Sequence, residues 1–470
     1  MKKRLTMLAV FVSLLSGCTV GPKYRRPVIE PPAAFRGSGD TAAASDPGSL
    51  ADMKWFEVFK DDQLQELIRT ALVNNYDLRR AVARIQAARA NLGITRSDQF
   101  PNITAGADVT TLRNSGSGQF VLPGGGSRDR TFGTVLLNLL SFEVDIWGRL
   151  RRAKEAARAN LLATEEDRKA VMTTIVGDVS AAYFNLLELD TELEIAKETL
   201  ATRQESLNLI RSRQQGGVAT MLDVRQAEQL VYGAAQTIPD IERLIEQTEN
   251  QINLLLGNDP GPVARGRSLS EQEQPPSAPP GLPSSLLERR PDIRAAELNL
   301  VAATANIGVA KAAYFPQISL TGFLGGQSSQ LSNLFSGAGG AWNFAPQVTL
   351  PIFNAGRVKS GVRFTEAQRQ LASTQYQQAI RTGFREVSDA LVEYSKVKEI
   401  RAQQEALVTT LQDRSRLAYL RYRGGVDTQL NALDADRDLF SAELSLAQTK
   451  RNELLALVLL YKALGGGWQQ

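Results

Sequence analysis

Histidine is absent from the chain, and cysteine occurs once, at Cys18. Together these facts remove His-based general acid–base catalysis, Ser-His-Asp and Cys-His nucleophiles and the usual zinc sites. No G-x-x-x-x-G-K-[ST] run is present, so no P-loop energises the protein. Carboxylates remain, but no Asp or Glu pair stands out as an acid and its base. Three of them, Asp434, Asp436 and Asp438, gather around Arg437. Leu430 and Asp434 are four apart on one helical face, with Arg437 three further on. By spacing alone, the three aspartates solvate their helix and complement its N-terminal dipole. The expectation is a protein with no catalytic residues, no metal and no cofactor.

Cys18 has a different chemistry in view. "MKKRLTMLAVFVSLLSGC" opens on basic residues, continues with an apolar run from Leu5 to Leu15 and ends on small residues. The run is shorter than the ~20 apolar residues that span a bilayer, so it reads as a secretory signal. Leu15-Ser16-Gly17-Cys18 resembles the bacterial lipoprotein signal, which implies acylation of Cys18 as the mature N-terminus. Each buried anchor methylene contributes about 0.8 kcal/mol, so several chains hold firmly. Thr19 follows rather than an aspartate, which favours an outer-membrane address. Most of the formal +4 charge sits on Lys2, Lys3 and Arg4 within this leader. The remainder is nearly neutral, and no basic cluster with interleaved aromatics points to nucleic acid.

The positioning elements come in two sets. "FPNI" at Phe100 to Ile103 returns as "FPQI" at Phe315 to Ile318, and "NYDLRRA" from Asn75 matches "RPDIRAA" from Arg290. Further on, Gly148-Arg149 matches Gly356-Arg357, and "GGVAT" at Gly216 matches "GGVDT" at Gly424. The offset is 215 for the first two matches and 208 for the last two, and a constant offset over each stretch indicates internal duplication. The organisation expected is a leader over 1–17, an extended arm over 18–70, a first repeat over 71–260, a Pro-rich linker over 261–288, a second repeat over 289–465 and a tail over 466–470.

Each repeat reads as helix, two strands, very long helix, turn, shorter helix. Ile175, Val179, Ala182, Leu186, Leu189, Leu193, Ala196 and Leu200 alternate steps of four and three, a coiled-coil seam that Leu207 and Ile210 extend past Arg203. No proline interrupts 149–214, so that helix reaches roughly 100 Å at ~1.5 Å per residue. Ile380, Phe384, Val387, Leu391 and Tyr394 repeat the device. Pro239 should bend the first return helix. "ITAGADVTT" alternates Ile103, Ala105, Ala107 and Val109 with polar or small residues, and "WNFAPQVTLPIF" does likewise through Trp342, Phe344 and Val348. "FGTVLLNLLSFEVDIWG" alternates poorly and is assigned as strand by its place in the repeat. Four strands cannot close a membrane barrel, and lipid tolerates no open edge. Three chains would supply twelve strands, wide enough for a lumen.

Leu15 to Cys18, "GPKYRRP", "LLERRPDIRAAE", "LPIFNAGR", the paired Gly-Gly-Val turns and "YKALGGGW" resemble the TolC-like outer membrane factors, in their OprM/NodT lipoprotein branch. The resemblance covers nearly the whole mature chain. It implies a mainly α protein with a membrane β-barrel: a homotrimeric twelve-stranded barrel continued by a long periplasmic α-helical coiled-coil barrel. The implied role is the outer-membrane exit duct of a tripartite efflux pump. Its partners would be a periplasmic adaptor, an inner-membrane resistance-nodulation-division transporter and outer-membrane lipid. Gly216, Gly217, Val218, Thr220, Gly424, Gly425, Val426 and Asp427 would form hairpin tips that dock the adaptor. Leu430, Asp434 and Arg437 match the OprM-type Leu-x-x-x-Asp-x-x-Arg pattern and would gate the periplasmic mouth. Type I protein secretion, a non-conducting envelope lipoprotein and a carboxylate enzyme are the alternatives.

Overall fold

The computed structural model describes residues 19–37, 49–113, 115, 129–273 and 283–469. Cys18 therefore lies outside the described residues. The main elements are α1 (Asp62–Asn74), α2 (Tyr76–Ser97), β1 (Ile103–Arg113), β2 (Asp129–Glu143), α3 (Arg149–Gln215) and α4 (Met221–Leu256). They are followed by α5 (Pro291–Ala312), β3 (Gln317–Ser328), β4 (Gly340–Thr349), α6 (Arg357–Arg423) and α7 (Gln429–Ala463). The order helix, strand, strand, long helix, helix thus occurs twice. Helices α3 and α6 each have 67 residues. Left-handed glycines recur in step: Gly148 and Gly356, Gly217 and Gly425, Gly257 and Gly465 all have φ between 73° and 85°. Each pair is separated by the same 208 positions, so the duplication is written into the backbone as well as the side chains.

The described residues divide into two compact units, the first drawn from 19–27, 85–164 and 296–376. Its centre is one antiparallel sheet in the order β1-β2-β3-β4. Ile103 pairs with Leu139 and Arg113 with Asp129; Gln317 pairs with Thr349. Between Leu139 and Phe142 the β2–β3 register shifts by one residue. That bulge moves the side chains from Phe142 onward to the opposite face, whereas the consecutive Val135, Leu136 and Leu137 before it lie in regular register and put apolar residues on both faces. Where α3 and α5 meet, Ala156, Ala159, Ala302 and Ala305 form the contact, and small side chains let two helices approach closely. The chain just after Cys18 is fastened here. Val20 N–H donates to the Trp147 carbonyl at 3.0 Å, and Thr19 packs on Gly148. Tyr24 and Arg26 both donate to Glu297, at 2.8 and 2.6 Å.

The second unit holds residues 28–84, 165–295 and 377–470. Its core is the expected seam: Ile175, Val179, Ala182, Leu186, Leu189, Ala196, Leu207 and Ile210 are buried, as are Ile380, Val387 and Leu391. Burying each Leu or Ile contributes about 1.5–3 kcal/mol. An 18-residue stretch of α3 is apolar enough to cross a membrane, but two-thirds of it is buried against the rest of the chain. Pro239 stands inside α4, which continues to Leu256.

The segment read as an extended arm becomes helical in its second half, with short turns at Leu50–Asp52 and Trp55–Val58 before α1. Asp61 caps α1 by accepting from the Gln63 and Leu64 N–H groups, and Leu64, Leu67, Ile68 and Ala71 bury one face. That i, i+3, i+4, i+7 spacing is a helix signal. Asp61 also accepts from Arg267 N–H, Tyr183 Oη and Gln272 Nε2. The chain between the repeats is therefore clamped onto α1 and α3 at that point.

Candidate functional site

Two surfaces carry the functional geometry, one in each unit. In the sheet, the pairing rows put Ile103, Ala105, Ala107 and Val109 on the same face as Leu137, Leu324, Trp342, Phe344 and Val348. The large residues of this set are all exposed, Trp342 at 75% and Leu324 at 63%. Thr104, Asp108, Thr134, Asn138, Asn343 and Gln347 occupy the opposite face, where Thr134 donates directly across the pair to Asp108. Phe132, Leu136 and Phe323 share that second face, which is mixed, whereas the first is largely apolar and exposed, as suits a wall between hydrocarbon and water. Neither outer edge, of β1 or of β4, has a strand partner among the described residues.

In the second unit the long helices reverse at two matching turns. Val218 N–H donates to the Arg213 carbonyl and Gly217 N–H to Gln214; Val426 donates to Arg421 and Gly425 to Tyr422. These are Schellman closures, which require a left-handed residue at Gly217 (φ 75°) and Gly425 (φ 74°). Thr220 then opens α4 with a capping box: its Oγ1 accepts from Asp223 N–H at 3.3 Å and Asp223 accepts from Thr220 N–H at 2.7 Å. The second turn is built differently. Asp427 accepts from Thr428 N–H, Arg421 and Asn431, and the Arg421 bond first among these holds its carboxyl below the usual range. Val218, Met221, Leu222 and Val426 stay exposed at the two tips. Gln429 Nε2 donates to the Asp223 carbonyl at 3.1 Å and so joins one tip to the other.

The three gate candidates lie on the exposed side of α7. Leu430 is 51% exposed, and Arg437 Nη2 lies 3.4 Å from Asp434 and 3.5 Å from Asp438. Asp438 also binds Arg414 at 2.7 Å. The equivalent of Asp434 in the first repeat is Gln226, so the two hairpins carry different chemistry.

Asp436 departs from the solvated-face reading. It is buried, and Arg203 Nε donates to it at 2.7 Å. Arg203 Nη1 also donates to the Leu230 carbonyl, and its guanidinium carbon lies 4.9 Å from the Phe440 ring centre. One buried cation therefore ties α3 to α4 and to α7. The available signal was that Arg203 interrupts an apolar seam, where a cation has to find an anion.

Higher in the same bundle, Glu188 and Glu192 are both buried. Arg451 Nη1 donates to Glu188 at 3.2 Å and Gln448 Nε2 to Glu192 at 2.9 Å. Burial, then the hydrogen bond to Glu192, pushes Glu188 up to about 7. The two carboxylates face each other across one helical turn, and one of them holds a proton near neutrality. Arg451, like Arg203, has a buried acid to meet.

The sequence profile of the outer membrane efflux proteins matches residues 67–258 and 282–466. The chain belongs to that family. It is 40% identical over 479 residues to the probable efflux pump outer membrane protein TtgC of Pseudomonas putida, covering 100% of this chain and 97% of TtgC. It is 36% identical over 457 residues to the cation efflux system protein CusC of Escherichia coli, covering 97% of each. The solved structure of CusC superposes with a TM-score of 0.86 at 34% identity, over 96% of this chain and 100% of that one. The open state of the Neisseria gonorrhoeae MtrE outer membrane channel gives 0.85 at 32% identity, over 96% and 99%. The protein thus has the fold of the outer-membrane efflux channels and acts in that membrane as the exit duct of an efflux pump.

Proposed function

We propose that three copies of this chain close a single duct that conducts small molecules passively, with a gate at its periplasmic mouth. The observation that carries this reading is the sheet: four strands, an exposed apolar face and two unpartnered edges. Open edges are untenable in lipid, and pairing β4 of one copy with β1 of the next satisfies both. Twelve strands leave a lumen where eight would be filled by side chains. The chain works as a conduit with no catalytic group. Cys18 carries the lipid anchor, and the fastening of Thr19 and Val20 at the β2–α3 junction supports an anchor at the inner leaflet.

The mouth is closed by Leu430 as an apolar ring and by Asp434 with Arg437 as a polar one. Their exposure on α7, opposite the buried Ala432, Leu433 and Asp436, supports this assignment. The tips at Gly216 to Thr220 and Gly424 to Asp427 dock a periplasmic adaptor, which links the duct to a proton-driven transporter of the resistance-nodulation-division type. Selectivity then resides in the transporter. The test is single-channel recording in planar bilayers. Asp434→Ala combined with Arg437→Ala raises conductance several-fold over the parent channel; an unchanged conductance would remove the gate.

A further inference from the structure

The connection between β3 and β4 does not project away from the sheet. It folds back onto the apolar face in two short helical turns, Leu331–Asn333 and Gly337–Gly339. Leu331 lies over Gly133, and the Leu334 carbonyl sits where a side chain on Gly326 would have to go. Leu334 is buried, yet Phe335 is 84% exposed. The loop satisfies much of its own backbone: Leu334 N–H donates to Leu331, Ser336 to Asn333 and Gly339 to Ser336. Internally bonded backbone of this kind is what a segment lying against hydrocarbon needs. Beneath the loop is a cavity of about 340 Å³, lined by Ala105, Leu137, Leu324, Leu334, Phe335 and Gly340 among others.

The geometry points to this cleft as a seat for an acyl chain of lipopolysaccharide, the outer-leaflet lipid of a bacterial outer membrane. Three observations on the fold choose that occupant. The lining is continuous with the face that meets lipid, through Leu137, Leu324 and their row partner Trp342. The loop lies at the strand ends away from the junctions with α2, α3, α5 and α6, which places it toward the outer leaflet. Trimer formation consumes the edges of β1 and β4 and leaves the face of the sheet open. The glycines at 133 and 326 let the loop itself lie close against the sheet, where it forms one wall of the cleft. The inference rests on the membrane-face reading, and the experiment separates the two.

Full-length protein is made with a photo-reactive diazirine leucine analogue at Leu334, or separately at Val348 on the open part of the same face, and irradiated in native outer membranes. Crosslinking of lipopolysaccharide at Leu334 is the expected result. Lipid captured at Val348 with only phospholipid, or no lipid, at Leu334 overturns the cleft. No lipid at either position overturns the membrane face itself, and the cleft with it. A second measurement uses Ala105→Phe, which fills the cleft, and Val348→Phe, which does not. Lipopolysaccharide retained through detergent washing falls about tenfold in A105F, the loss of roughly two buried methylenes, and is unchanged in V348F. Equal retention in the parent protein and a folded A105F also overturns the proposal.

Discussion

Glu188 shows how a single buried side chain sets a condition-dependent property. Its native pKa of about 7 lies above the ordinary 4.5, so between those values the folded chain binds more protons than the unfolded one. Stability from this group is therefore complete below that window, falls as pH rises through it and levels off above about 7. We expect the melting temperature of the helical bundle to drop between pH ~5 and ~8, and Glu188→Gln, which stays neutral and can still accept from Arg451, to flatten the slope and raise the melting temperature at the alkaline end. Thermal melts across that range check this; a slope in the variant as steep as in the parent would refute it. At the same scale, Arg203 was visible in the sequence only as an interruption, and Asp436 only as one of three aspartates read as solvating their helix. A charged residue at a seam position announces that something must neutralise it, but its partner lies 233 positions away, and no local rule names it.

Elements were more legible. A 3.5-residue apolar period and the lack of proline give α3 directly, because a helix needs only local information to fix which face is apolar. Strands β1 and β4 showed their alternation, whereas β2 carries apolar residues on both faces at Val135, Leu136 and Leu137 and a bulge beyond Leu139. The turns were equally readable, since a Schellman closure demands a residue that tolerates positive φ. Gly217 isolates that requirement: a Cβ there would meet nothing within 4 Å, so Gly217→Ala is strained by backbone alone. We expect it to cost about 1 kcal/mol, with Gly217→Asn costing less because asparagine tolerates the left-handed region better. Equilibrium unfolding of the two variants measures the difference, and equal stability of alanine, asparagine and parent chains would show that the turn does not hold this geometry in solution.

For the whole molecule, the decisive feature is that the chain is unfinished. A four-stranded sheet with an apolar outer face can be covered by lipid, but its edges can be satisfied only by other copies. The chain has a mass of 51.3 kDa before any processing. We expect light scattering with detergent subtracted to give about three times the mass of one processed chain, in keeping with the strand number a lumen requires. A single-chain mass in mild detergent, with the sheet intact by circular dichroism, would leave the duct without walls.

The amino-acid order alone determined the duplication, the long helices, the positions of the turns and the absence of His- or Cys-based catalysis, because each of these depends on residue type and local spacing. Tertiary structure decided which charges are solvated and which are buried. Asp434 and Asp436 are two residues apart and chemically identical, yet one meets solvent and the other Arg203. The difference arises because successive helical positions point some 100° apart, and only packing against α3 and α4 selects which direction is inside.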